Sequence, residues 1–324
     1  MMTLKTRWSD EAMCDMPLPE YPRPQMVRDN WVNLNGFFDF AITGEDEDWC
    51  EKYEEKIRVP FAVESGLSGL GRRVSAKDRL WYRKSFTLPD SFKGKRTLLN
   101  FGAVDWQCKV YVNKKEVGGH TGGYCPFTID ITDALTEGEN ELVVWVYDPT
   151  DESWQNRGKQ ASYSHGFWYV STSGIWQTVW MEAVNDSYIK KYKLTPDIDS
   201  AEINIKTTVV GEGSLKIKVL DGEKVVTEKE IAVKDKIEIP DMKLWSPEDP
   251  FLYDFVLELV KDGKAVDSVK GYFGMRKFSI GEYEGYARLF LNNKPYFQKG
   301  LLDQGYWCDG GMTPPTEEAM IYDI

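Results

Sequence analysis

No stretch of the 324 residues approaches 18 consecutive apolar positions, so the chain carries no transmembrane helix. The opening twenty residues, MMTLKTRWSDEAMCDMPLPE, lack the apolar core of a signal peptide, and the expected compartment is the cytoplasm. Histidine is scarce. His120 and His165 are too few for a typical His-rich metal site. The five cysteines, Cys14, Cys50, Cys108, Cys125 and Cys308, are odd in number and never spaced CxxC. They predict free thiols rather than a disulfide framework or a zinc site. Positive charge is also short: 40 Lys and Arg against 52 Asp and Glu leave a net charge of −12. That balance argues against nucleic acid or an acidic membrane as partner, since both need a basic face. No GxSxG, HExxH or P-loop motif occurs. Gly66-Leu-Ser-Gly69-Leu-Gly71 has no strand before it in register and no helix after it, so it reads as a turn needing positive φ. Neither a cofactor nor a metal is expected.

Aromatic residues are plentiful. Ten of the 12 tryptophans precede residue 186: Trp8, Trp31, Trp49, Trp81, Trp106, Trp145, Trp154, Trp168, Trp176 and Trp180. Large rings pack well in β-sheets, which accounts for most of them. Their faces also stack on the C–H faces of sugars, so an acidic, Trp-rich β domain raises carbohydrate as a ligand.

The pattern is an all-β one. Trp81–Leu88, Thr97–Phe101, Cys108–Val112, Leu142–Tyr147 and Gln177–Glu182 alternate or run apolar, and Gly-rich or polar breaks separate them. Beyond Val184–Ser187 the chain turns Lys-rich and Trp-poor. Ser214–Leu220 and Leu252–Leu259 alternate strictly, and Asp221-Gly222 and Asp262-Gly263 supply hairpin turns. About seven strands in roughly 90 residues fit an immunoglobulin-like sandwich. After Gly285 a hairpin is expected around Asn292-Asn293, then a short apolar strand at Gln298–Leu302. Thr316 is the expected N-cap of a helix running to Ile324. The expected segments are 1–186, 187–280 and 281–324. His120, between glycines, reads as a structural hydrogen-bonding residue. Asp105 and Asp130, inside apolar stretches, read as acceptors of buried hydrogen bonds.

A series of motifs then follows in order: Tyr21-Pro-Arg-Pro-Gln25, Trp31–Phe40, Val59-Pro-Phe-Ala-Val-Glu-Ser65, Leu80–Phe86, Asn100–Asp105, Gly118–Tyr124, Asn140–Val144 and Thr172-Ser-Gly-Ile-Trp-Gln177. The series resembles the N-terminal sugar-binding domain of family 2 glycoside hydrolases, which include β-galactosidases, β-glucuronidases and β-mannosidases. Leu244–Tyr253 and Phe273-Gly-Met-Arg276 resemble the end of that family's immunoglobulin-like domain. Leu289–Gly300 resembles the entry to its barrel.

The resemblance implies a jelly-roll sandwich, an immunoglobulin-like sandwich, and the truncated first βα unit of a TIM barrel. A full barrel takes about 250 residues, and only about 35 follow Leu289, so a fragment is expected. The family's two glutamates lie on later barrel strands. The one Asn-Glu pair here, Asn140-Glu141, opens a jelly-roll strand, and no catalytic role is carried over to it. The implied function is the non-catalytic N-terminal portion of a retaining, β-galactosidase-like β-glycosidase, with a β-glycoside as substrate and the missing barrel as partner domain. A free-standing carbohydrate-binding module or a structural sandwich without a ligand are the alternatives, and an oligomer is left open.

Two departures bear on the sugar. Relatives place an Asp six residues before the Gly of the Gly-Ile motif, where this chain has Trp168. They end the first barrel strand in Arg-His, where this chain has Leu302-Asp303-Gln304. Both count against galactose specificity. The expected substrate-binding residues are Trp168, Asp303, His165 and Tyr169. Ser164–Ser173 is expected to project toward the barrel's active-site mouth, with Trp168 as a wall for the sugar rather than a jelly-roll core residue.

Overall fold

The computed structural model describes residues 4–324. The chain forms two compact units that interleave in sequence. One comprises residues 1–22, 30–183 and 304–324, and the other residues 23–29 and 184–303.

The first unit is built on two main sheets. Glu55–Val59, Gly36–Thr43, Arg79–Thr87, Glu139–Tyr147, Gln107–Val112 and Lys115–Thr121 form a six-stranded sheet in that spatial order. Trp31–Asn33, Val179–Val184, Arg96–Phe101 and Phe127–Asp130 form a four-stranded one. Successive side chains in a strand point to opposite faces. Leu142, Val144 and Val146 therefore enter one core with Phe38, Phe40, Leu80, Tyr82, Leu99 and Phe101. Val143 and Trp145, on the other face, pack with Trp81, Trp49 and Tyr111 in a separate aromatic cluster. Most tryptophans are thus packing residues, as expected of large rings on a sheet.

The second unit is a seven-stranded sandwich. Tyr188–Asp197, Glu202–Val210 and Lys234–Glu238 form one sheet. Lys224–Ile231, Ser214–Asp221, Tyr253–Lys261 and Lys264–Phe273 form the other. Ile203, Ile205, Ile217, Val219, Phe255, Leu257 and Val269 fill the space between them. A three-stranded sheet of Phe278–Tyr283, Tyr286–Leu291 and Lys294–Pro295 follows.

The two-residue hairpin loops carry the backbone signs that strand twist demands. Asn113-Lys114, Asp262-Gly263 and Asn292-Asn293 all have positive φ at both positions. The hairpin after Ser214–Asp221 differs by one residue from expectation. Asp221 pairs with Lys224, so the loop is Gly222-Glu223, with the glycine first at φ 60°.

Several expectations are corrected. Gln298–Leu302 forms no strand, and Leu301 and Leu302 are 100% and 87% exposed. An apolar run becomes a strand only where another strand takes up its N–H and C=O groups, and none is paired here. The terminal helix spans Glu317–Asp323, with Thr316 Oγ1 accepting from the Ala319 N–H as expected of an N-cap. His120 lies in a strand rather than a turn, with its ring stacked on Phe127 at 4.5 Å and hydrogen-bonded to the Gly122 backbone. Asp130 is exposed on an edge strand and accepts from Arg96 and Thr132. Cys14, Cys125 and Cys308 are exposed, while Cys50 and Cys108 are buried, and all five are free thiols.

Candidate functional site

Three carboxyl groups meet inside the first unit: Glu64, Asp105 and Asp148, exposed by 2%, 4% and 3%. Glu64 follows the edge strand Glu55–Val59. Asp148 directly follows the strand Glu139–Tyr147, and Asp105 ends the short strand Val104–Asp105, which pairs with Gly174–Ile175. Asp105 is joined to Trp106 by a cis peptide bond.

Ser173 links two of the three. Its Oγ lies 2.7 Å from Glu64 Oε1 and 2.6 Å from Asp148 Oδ2. The Ser173 N–H donates to Glu64 Oε2 at 3.0 Å, and Ser171 Oγ donates to Glu64 Oε1 at 2.9 Å. Asp148 Oδ1 accepts from the Thr150 N–H at 2.8 Å. Burial, only partly opposed by the Ser173 bonds, pushes the Glu64 carboxyl up to about 7. The Asp148 carboxyl is raised by the same cause. Asp105 is raised well above the usual range by burial and then by Asp148 and Glu64. Among the described residues no N–H or O–H donates to Asp105, which corrects the expectation that it accepts buried hydrogen bonds.

A second polar layer lies outward of the trio. Gln160 Oε1 accepts from the Thr172 N–H at 2.6 Å, and Gln160 Nε2 donates to Tyr124 Oη at 2.5 Å. The Tyr306 hydroxyl donates to the Val170 carbonyl and lies 3.3 Å from Thr172 Oγ1. Burial raises the Tyr306 phenol to about 12, so it stays protonated at neutral pH. Its ring stacks on Tyr169 at 4.5 Å with a 16° interplanar angle.

These two layers hold the foot of a loop that runs over the surface. Trp154, Tyr163 and Phe167 on it are 89%, 72% and 67% exposed. Trp168 is half-buried and lies outside the jelly-roll core. The Arg157 guanidinium sits 5.1 Å from its ring centre, and Phe167 leans on it at 5.0 Å. Arg157 also donates to the Gln160 carbonyl at 2.8 Å. His165 is exposed, with Nδ1 2.7 Å from the Tyr163 carbonyl oxygen. The structure thus brings His165, Trp168 and Tyr169 onto one loop of the first unit. Asp303 belongs to the second unit and is exposed.

Glu64, Asp148, Ser173, Gln160 and Tyr306 were not singled out by sequence reasoning. Glu64 and Ser173 lay within recognised motifs, and Glu64 is a charged residue directly after the apolar run Pro60-Phe-Ala-Val63, which was the available signal. Among the described residues no group of three or more His, Cys, Asp or Glu is arranged to hold a metal ion. A groove of about 920 Å³ in the first unit, beside Trp49, Glu51 and Arg72, contains none of the expected residues.

Known proteins match along the chain in the same order. The family model for the sugar-binding domain of family 2 glycosyl hydrolases matches residues 71–184, and a further family 2 model matches 187–276. A β-galactosidase of Thermoanaerobacter pseudethanolicus is 32% identical over 86% of this chain and 38% of its own length. A β-glucuronidase of Paenibacillus borealis is 24% identical over 87% of this chain and 50% of its own length. The β-glucuronidase from Ruminococcus gnavus in complex with D-glucuronic acid shares the fold, with a TM-score of 0.74 and 20% identity over 92% of this chain and 54% of that one. The chain therefore spans about half or less of the proteins it matches. It belongs to glycosyl hydrolase family 2, of which it holds the N-terminal sugar-binding domain and the β-sandwich that follows.

Proposed function

We propose that the chain is the substrate-shaping, non-catalytic part of a retaining β-glycosidase that cleaves terminal β-glycosidic bonds. A (β/α)8 barrel is the proposed partner domain and holds the two catalytic glutamates. The observation that carries this reading is the sugar-binding domain match, which spans the whole exposed aromatic loop. Trp168, His165 and Tyr169 are the proposed sugar contacts. Asp303 is proposed from the family resemblance alone. An indole offers a flat apolar face to the C–H side of a pyranose, and stacking of Arg157 fixes its orientation.

Glu64 and Asp148 are not the catalytic pair. Joined through one hydroxyl, they come as close as the about 5 Å pair of a retaining enzyme. Both, however, are sealed from solvent, and no glycosidic oxygen can reach them. A chain without an accessible, positioned carboxyl pair loses both orientation and charge stabilisation, each worth orders of magnitude in rate.

Purified 1–324 is therefore expected to show no turnover on a panel of nitrophenyl β-glycosides. Reproducible turnover above a mock purification overturns the reading. In an enzyme carrying this chain with its barrel, Trp168→Ala is expected to raise KM about tenfold, a stacking contribution near 1.4 kcal/mol. An unchanged KM removes Trp168 from the sugar site.

A further inference from the structure

We propose that Glu64 and Asp148 are positioning residues that share one proton through Ser173, and that this proton clamps the foot of the aromatic loop and is lost as pH rises through neutrality. A count of hydrogens carries the proposal. The Ser173 hydroxyl owns one hydrogen but touches two carboxyl oxygens, at 2.7 Å and 2.6 Å. It donates in one contact. In the other it can only accept, so that carboxyl must bring the hydrogen. Two bare carboxylates would set lone pair against lone pair at hydrogen-bond distance.

The surroundings offer no other source of neutralisation. Asp105 faces the pair from the strand Val104–Asp105, and Asp151 faces Asp148 from the loop. Tyr82, from the strand Arg79–Thr87, and Tyr306 face Glu64, while Tyr124 faces Asp105 and Asp148. All are acids or neutral phenols. Among the described residues no Lys, Arg or His hydrogen-bonds or pairs with any of the three carboxyls. Loss of the shared proton therefore leaves adjacent buried negative charges with no counter-charge, which is costly in a low-dielectric interior.

The same contacts tether the loop. Ser173 gives both its hydroxyl and its N–H to the pair, and its carbonyl accepts from the Val63 N–H at 3.3 Å. Thr172 is held beside it by Gln160. The Glu64 carboxyl stands higher in the folded protein, about 7 against 4.5. Its contribution is complete below the unfolded value, shrinks as pH climbs, and is gone above about 7.

Hydrogen exchange of the full chain, corrected for intrinsic rates, tests the clamp without any sugar, so failure of the carbohydrate reading would leave it standing. Protection of the Thr172 and Ser173 amides is expected to fall about a hundredfold between pH 5 and pH 8. Glu64→Gln supplies a permanent donor: its amide nitrogen faces Ser173 and Ser171, and its amide oxygen accepts the Ser173 N–H. That variant is expected to lose most of the pH dependence, and so is Asp148→Asn for the same reason. The double variant aims two fixed donors at Ser173 Oγ and strands the serine's own hydrogen, so its protection drops below both singles at every pH. A flat wild-type profile, or the full wild-type fall retained in both single variants, overturns the proposal.

Discussion

Arg28→Ala lowers the unfolding free energy of the second unit by about 3–5 kcal/mol. Arg28 and Asp267 form a forked ion pair, Nε to Oδ1 at 3.1 Å and Nη2 to Oδ2 at 2.9 Å. The side chains are 4% and 6% exposed. The same Nη2 donates to the Ile189 carbonyl at 2.7 Å, and the Ile189 N–H donates to Asp267 Oδ2 at 2.8 Å. Removing the guanidinium leaves a buried carboxylate facing one backbone N–H. The cost is dominated by that stranded charge rather than by the pair's own attraction. Arg28→Met with Asp267→Leu, which removes both charges and keeps volume, should therefore cost much less than Arg28→Ala alone. Urea titration read by exchange of core amides such as Val219 and Leu257 separates this unit from the other. Equal losses in the single and double variants would show that packing, not charge, is what Arg28 contributes.

That ion pair also marks a limit of reading the chain in order. Residues 23–29 precede the first strand of the sugar-binding domain, yet belong to the second unit. Met26 enters its core, and Val27 exchanges two backbone hydrogen bonds with Lys270. Nothing local in Tyr21-Pro-Arg-Pro-Gln25 encodes this, because the partners lie about 240 positions away. The strands themselves were legible. Inward and outward positions alternate with period two, and the Asn, Asp and Gly residues of hairpin loops such as Asp262-Gly263 and Asn292-Asn293 are recognisable. Gln298–Leu302 misled for the opposite reason: its apolar run is strand-like, but pairing is a property of neighbours. Asp105 and Asp130 look alike in sequence and differ entirely in structure. One ends a strand in the interior, and the other lies on a sheet edge beside Arg96. The site was half legible. Aromatic density singled out the loop with Trp168, while the carboxyls that hold its foot sit on three separate elements and meet only in three dimensions.

Gly174→Ala should lower the stability of the first unit by about 2–5 kcal/mol, with two separable causes. Gly174 has φ 88°, where an L side chain costs about 1–2 kcal/mol. Its added Cβ would lie 1.9 Å from Tyr82 Oη, 3.0 Å from Tyr82 Cζ and 3.3 Å from Leu80 Cδ1. Tyr82 is fully buried and wedged between Phe38 and Phe40, so it has nowhere to retreat, and overpacking adds about 1–3 kcal/mol. Gly158 provides the control. It too has positive φ, 58°, but a Cβ there meets nothing within 4 Å, so Gly158→Ala should carry the backbone cost alone. The contact can be relieved as well. Tyr82→Phe in the Gly174→Ala background removes the nearest atom, although it also takes the weak acceptor, at 3.4 Å, from the Ile175 N–H. It should recover about 1 kcal/mol. Because Gly174 follows Ser173 and pairs with Asp105, the displaced backbone should also reduce exchange protection at Ser173 at pH 5, where the acid clamp is otherwise closed. Equal destabilisation by Gly174→Ala and Gly158→Ala in urea would show that backbone strain, not the clash with Tyr82, sets the requirement for glycine.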